Sequence, residues 1–120
     1  MIGRLIALFF LAREVSHREH LKAPTIAIHL ALGEFYEAIV EHADELAESY
    51  QGRTKTVIKD IPILAMELDG DQAAKLRKIM EQIEKIRFQA IDQNDSVLQN
   101  IVDDALKVFL KTLNKLDNYK

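Results

Sequence analysis

Helix breakers are scarce in this sequence, and their scarcity limits the possible folds more than any motif does. Two prolines and four glycines in 120 residues are too few for the repeated turns of an all-β domain. Before Pro24, between Pro24 and Gly52, and after Gly70 lie long stretches in which apolar residues recur every three or four positions. That period belongs to helices that bury one face. The expected fold class is all-α, in a single domain spanning residues 1–120. A chain of this length encloses one core rather than two.

Four helices are expected. The first runs from about Ile2 to about Leu21, with Leu5, Leu8, Phe9 and Ala12 turned inward. Pro24 suits the first turn of the second helix, where a missing N–H costs nothing. Ile28, Leu32, Phe35, Ile39, Leu46 and Tyr50 form its apolar stripe, and Gly52 is placed to end it. Residues 53–70 lack a clear period and read as a long connection with a short helical turn around Ile63 to Glu67. Asp69, with Gln72 three places on, is the expected cap of the third helix. Leu76, Ile79, Met80, Ile83, Ile86 and Ala90 form that helix's stripe. Gln93-Asn94-Asp95 breaks the pattern, and Asp95 or Ser96 caps a fourth helix. Val97, Leu98, Ile101, Ala105, Val108, Phe109, Thr112 and Leu116 carry its stripe. Met66, Met80, Phe9, Phe10, Phe88 and Phe109 are read as core. Short links make the first pair and the last pair antiparallel, and the long link supplies the one crossover of an up-down-down-up bundle.

Composition removes several chemistries. Cysteine is absent, so there are no disulfides, thiolate metal sites or cysteine nucleophiles. A net charge of −3 and a pI near 5.8 provide no global basic field to gather nucleic acid. Lys107, Lys111, Lys115 and Lys120 are expected to complement the last helix's dipole. The apolar run Leu5 to Ala12, between Arg4 and Arg13, is too short to span a bilayer. REVSHREH follows it where a signal peptide would need small residues for cleavage. A buried helix, no membrane segment and a cytoplasmic location are the expectations.

The residues with metal-binding chemistry are concentrated. All four histidines (His17, His20, His29 and His42) lie in the first two helices. A di-iron site inside one bundle needs Glu-x-x-His motifs from two helices. This chain has one such motif, Glu14-Val15-Ser16-His17. The second helix offers another route. His29 and Asp44 are separated by about 60° around that helix but by roughly 22 Å along it. No single ion can join them within one chain. Two copies packed antiparallel about a two-fold axis bring the His end of one helix to the Asp end of the other. Asp44 and Glu48, one turn apart, project from one face as paired oxygen ligands. Imidazole with carboxylate suits iron and similar divalent metals better than calcium or magnesium. His20 and His42 read as solvated surface residues.

The stretch from His17 to Gly52 resembles the Dps family (DNA-binding protein from starved cells), the mini-ferritins. His17, the turn Lys22-Ala23-Pro24, His29, then Asp44 and Glu48 match that family's ligand spacing without a gap. The last helix, DSVLQNIVDDALKVFLKTL, is similar to the family's final helix. The resemblance implies a ferritin-like bundle, assembly into a hollow dodecamer, and iron sites at its two-fold interfaces. Fe(II) would be oxidised there by peroxide or oxygen and stored, a ferroxidase activity. His17 and His29 would come from one subunit, Asp44 and Glu48 from its partner, with no catalytic residue beyond the ligands. Two positions depart from the pattern. The carboxylate expected one turn after His29 is Gly33, and Glu34 points about 100° away. Arg18 stands where the family carries Trp, and the basic tail some members use on DNA is absent from this reading. The competing expectation is a non-catalytic helical oligomer, a structural or interaction module with a degenerate metal site. Gly33 then serves close helix packing, which is the preferred reading of that position.

Overall fold

In the computed structural model, the described residues 1–119 form four α-helices and no strand. Lys120, one of the lysines expected at the last helix's end, lies outside the described residues. The helices are α1 (Ile2–Leu21), α2 (Ile26–Thr54), α3 (Gln72–Ala90) and α4 (Ser96–Asn118). None is long and apolar enough to cross a membrane.

Local chemistry sets the boundaries. Thr25 caps α2, its hydroxyl accepting from the Ile28 N–H at 3.2 Å, so Pro24 lies just outside the helix rather than in its first turn. α2 also passes through Gly52, whose Cα faces open space. It stops at Lys55, which takes the left-handed conformation at φ 60°. Asp71, not Asp69, caps α3 by accepting from the Ala74 N–H at 2.9 Å. Either aspartate fits the sequence pattern, and only Asp71 is within reach of the third helical N–H. Asp95 caps α4 through the Leu98 N–H.

Each helix packs against two others: α1 against α2 and α3, and α4 against α2 and α3. Ion pairs fix the directions. Lys75–Glu19 joins the start of α3 to the end of α1, Arg77–Asp117 the start of α3 to the end of α4, and Arg53–Asp95 the end of α2 to the start of α4. α1 and α4 therefore run one way, α2 and α3 the other. The enclosed core holds the expected stripes, with Phe9, Phe35 and Phe109 fully buried and the last two meeting edge to face at 4.9 Å. Phe10 and Phe88 do not join it. They are 42% and 55% exposed, and the Arg87 guanidinium lies over Phe88. Val97 is also exposed.

The segment between α2 and α3 lies along α1 without regular structure. Its start is held where Gly3 meets the Asp60 carbonyl, a contact that any Cβ at position 3 would overlap. Farther on, Leu64, Met66 and Leu68 pack partly buried against the core at alternate positions. Alternation is the period of extended backbone, which is why the expected turn around Ile63 to Glu67 does not form. At the opposite side, Arg87 is buried and donates to the Gln99 side-chain and main-chain oxygens at 2.8 and 2.9 Å. Gln99 in turn donates to the Ile91 and Asp92 carbonyls. This network satisfies the polar backbone where α3 ends, as buried polar groups require.

Candidate functional site: a histidine cluster between α1 and α2

The short link Lys22–Thr25 folds α2 back along α1, and this juxtaposes ring-bearing residues near the end of one helix and the start of the other. His17 stacks on Tyr36, with ring centroids 4.4 Å apart and planes 18° from parallel. His20 stacks on His29 at 3.7 Å and 20°. It also meets Tyr36 edge-on at 5.4 Å and stands 6.3 Å from His17. The expected pair His17 and His29 is thus brought into one cluster, with His20 and Tyr36 filling the space around them. All four residues are half-buried.

Hydrogen bonding fixes two of the rings. His20 Nδ1 lies 2.5 Å from the His29 carbonyl oxygen, and His29 Nδ1 lies 2.9 Å from the His20 carbonyl oxygen. A carbonyl only accepts, so each Nδ1 carries the proton and donates. In the neutral ring the lone pair is then on Nε2, the tautomer of a histidine whose Nε2 binds a metal. The clamp is reciprocal, each helix donating a ring N–H to the other's backbone. It also gives the His20 carbonyl at the end of α1 a second donor, beside the Ala23 N–H at 3.4 Å.

Gly33 makes this approach available. A Cβ at position 33 would stand 3.0 Å from His20 Cε1, 3.3 Å from Nδ1 and 3.9 Å from Nε2. The imidazole therefore fills the space a side chain at 33 would take. Close packing, the preferred reading of this glycine, is what the helix pair shows at this position. His20 is correspondingly not a freely solvated surface residue.

Asp44 and Glu48 lie elsewhere. Both are exposed, toward the other end of the same uninterrupted α2. With Glu37, Glu41 and Glu45, also exposed, they make that half of the helix acidic. Among the described residues of one chain, no three His, Asp or Glu side chains stand close enough to hold an ion. Glu14 is occupied differently. It accepts from Arg18 Nε at 2.8 Å, and this hydrogen bond is the main reason its carboxyl titrates below the usual range. Arg18 thereby pairs along α1 in the position where Trp was expected. Glu34 accepts from Lys115 Nζ at 2.8 Å, tying α2 to α4, so Lys115 does more than complement a dipole. His42 is also not a plainly solvated residue: its Nδ1 is buried without a hydrogen-bond partner among the described residues.

The cluster is flanked by exposed apolar side chains. Leu21, Ile26 and Leu30 are 74%, 73% and 58% exposed. By the roughly 100° turn per helical residue, Ile26, Leu30, Asp44 and Glu48 lie on one side of α2. Farther along α1, Phe10, Val40 and residues Ile61 to Leu64 line an open groove of about 780 Å³.

His20 and Tyr36 were not legible as site residues. Each touches its partners across the helix pair, and only the His17–His20 spacing of three, which puts both on one face, hinted at it. No curated protein and no solved structure matches this chain. One family model does, described as a family of unknown function (DUF5856), over residues 20–116, from the last turn of α1 into the last turns of α4. The chain belongs to the family of unknown function DUF5856.

Proposed function

We propose that this protein binds Fe(II) and oxidises it as a homo-oligomer, in the manner of a compact mini-ferritin with a ferritin-like bundle and one crossover. The reading places it in the cytoplasm, without a nucleic-acid partner. His17 and His29 of one copy and Asp44 and Glu48 of a two-fold partner are the ligands. The observation that carries the proposal is the His29 ring, whose Nδ1 donates to the His20 carbonyl and leaves Nε2 as the lone-pair nitrogen. The exposed carboxylates on the same continuous helix supply the oxygen donors. Leu21, Ile26 and Leu30 supply apolar surface for two copies to bury.

Iron is the substrate here. Each Fe(II) gives up one electron, and two of them with two protons reduce one peroxide to two waters. The carboxylates favour the ferric product by their charge, and the imidazoles hold the ferrous ion before oxidation. The test is anaerobic Fe(II) addition followed by peroxide, recording ferric absorbance beside a protein-free control and beside His29→Ala and Asp44→Ala. Excess oxidation in the wild type that both variants abolish supports the reading. A rate equal to the protein-free control overturns it.

A second reading is a non-catalytic helical oligomer. The reciprocal His20–His29 clamp and the His17–Tyr36 stack favour it, because they join α1 to α2 whether or not an ion ever binds.

A further inference from the structure

We infer that the connection between α2 and α3 is a pairing edge, to which the same segment of a second copy adds as an antiparallel strand centred on Ile63. The pairing needs no metal ion and goes beyond the iron reading. Its first support is the main chain. From Val57 to Asp69 the backbone makes neither a turn nor a bend, and Leu64, Met66 and Leu68 turn inward at alternate positions. Among the described residues, no main-chain N–H or C=O from residue 59 to residue 69 has a hydrogen-bond partner. Such a run of unpaired groups is a template for another strand. The edge is also open to one. Beside it lies the groove of Phe10, Val40 and residues 61–64, and Ile63 is fully exposed.

The side chains select the occupant and the register. With Ile63 facing its own counterpart, Ile61 faces the second copy's Ala65 and Lys59 its Glu67. Within the chain, neither Lys59 nor Glu67 forms an ion pair among the described residues. The two-fold pairing gives each charge an opposite partner, twice per dimer. This self-complementarity identifies a second copy of the chain as the occupant. Pro62 decides which groups pair, because it has no N–H to give. When Ile63 sits in a hydrogen-bonded pair, the N–H and C=O groups of the odd-numbered residues point to the partner and those of Pro62 point away. The same choice leaves the Asp60 carbonyl, which meets Gly3 of α1, out of the pairing. Val40, which lines the groove, lies within about 80° of Asp44 and Glu48 around α2. One two-fold axis can therefore serve the edge and that side of α2 together.

The test is sedimentation equilibrium of the full chain and its charge variants. Lys59 and Glu67 are exposed, so reversing them leaves the fold intact, which circular dichroism checks. Lys59→Glu sets glutamates against glutamates and should raise the dissociation constant about tenfold or more, as should Glu67→Lys. Lys59→Glu combined with Glu67→Lys restores both pairs and should return it to within about threefold of the wild type. A monomeric wild type overturns the inference. So do single variants that associate like the wild type, and so does a double variant no better than the singles. Cross-linking reads the register. The chain has no cysteine, and Cα atoms of a hydrogen-bonded cross-strand pair stand about 5.5 Å apart, within disulfide reach. Ile63→Cys should close a covalent dimer on mild oxidation. Two copies of Ala65→Cys would stand roughly 14 Å apart and should close at least about tenfold more slowly. Equal rates at the two positions would overturn the pairing. Both measurements read association alone, so a dimer that oxidises no iron would leave this pairing standing and remove only the iron reading.

Discussion

Gly33→Ala puts the packing of the histidine cluster to a quantitative test. In an unobstructed helix, replacing glycine by alanine stabilises by about 0.5–1 kcal/mol. Here the new methyl would stand 3.0 Å from His20 Cε1 and 3.3 Å from its Nδ1, so the ring must move. His20 is not free to give way, since it is held at 2.5 Å to the His29 carbonyl and stacked at 3.7 Å on His29. Displacing it breaks the hydrogen bond from its own ring to the His29 carbonyl, which contributes about 1 kcal/mol, while the bond from the His29 ring to the His20 backbone is untouched. It also loses a ring pair of about 0.5–1.5 kcal/mol. The gross loss of roughly 2 kcal/mol exceeds the helical gain, leaving a net destabilisation of about 1 kcal/mol. That corresponds to a fall in Tm on the order of 3–6 °C for a domain of this size. Urea unfolding followed by circular dichroism measures it. In a His20→Ala background the obstruction is gone, and the same Gly33→Ala change should become stabilising by about 0.5–1 kcal/mol. A stabilising Gly33→Ala in the wild-type background would refute the packing argument. So would the same sign in both backgrounds.

Other outcomes follow from the same contacts. Gly33→Asp restores a carboxylate but must expel His20, so it should lower Tm, and any gain in iron oxidation should be larger when paired with His20→Ala; stopped-flow absorbance decides. Gly3→Ala meets a backbone oxygen rather than a movable side chain, an overpacking that costs about 1–3 kcal/mol and should expose residues 56–70 to limited proteolysis. Arg87→Ala leaves two Gln99 oxygens without their donor and should cost about 2–4 kcal/mol, whereas Asp103→Asn, at the half-exposed end of the network, should cost no more than about 1 kcal/mol. The Arg53 guanidinium beside Asp95 holds that carboxyl below its usual range. Its stabilising contribution is therefore complete above the ordinary aspartate pKa and disappears as pH falls through the lowered value. Asp95→Asn should flatten this part of the acid limb of Tm against pH, and an unchanged limb would count against the pairing.

Much of the fold was legible because it depends on period alone. The stripes Leu5–Leu8–Phe9–Ala12 and Ile28–Leu32–Phe35–Ile39–Leu46 are buried as expected, since a helix turns its apolar residues to one side wherever its neighbours lie. Periodicity cannot measure how wide that side is, so Phe10 and Phe88, next to core positions, were wrongly placed inside. Caps shifted by small steps for a similar reason. Asp69 and Asp71 carry the same chemistry, and only the backbone path decides which reaches a free N–H. Gly52 was overvalued because α2 ends instead where Lys55 adopts the left-handed conformation. The candidate site was half legible. His17 and His29 stood out by spacing, but His20 gains its partners nine residues away across a turn. Its role depends on a glycine whose importance is an absence of atoms.

The central claim is that the site is shared between two copies, His17 and His29 from one and Asp44 and Glu48 from the other. Subunit complementation tests it most directly. His29→Ala and Asp44→Ala proteins are prepared separately, shown to be inactive in peroxide-driven Fe(II) oxidation, then unfolded, mixed in equal amounts and refolded together. In each mixed pair, one site receives both intact halves and the other receives neither. Random pairing about a two-fold axis therefore restores about one quarter of wild-type sites. The account predicts that recovery, in ferric absorbance and in bound Fe(II) alike. No recovery from the mixture, beside an active and identically refolded wild type, would contradict it.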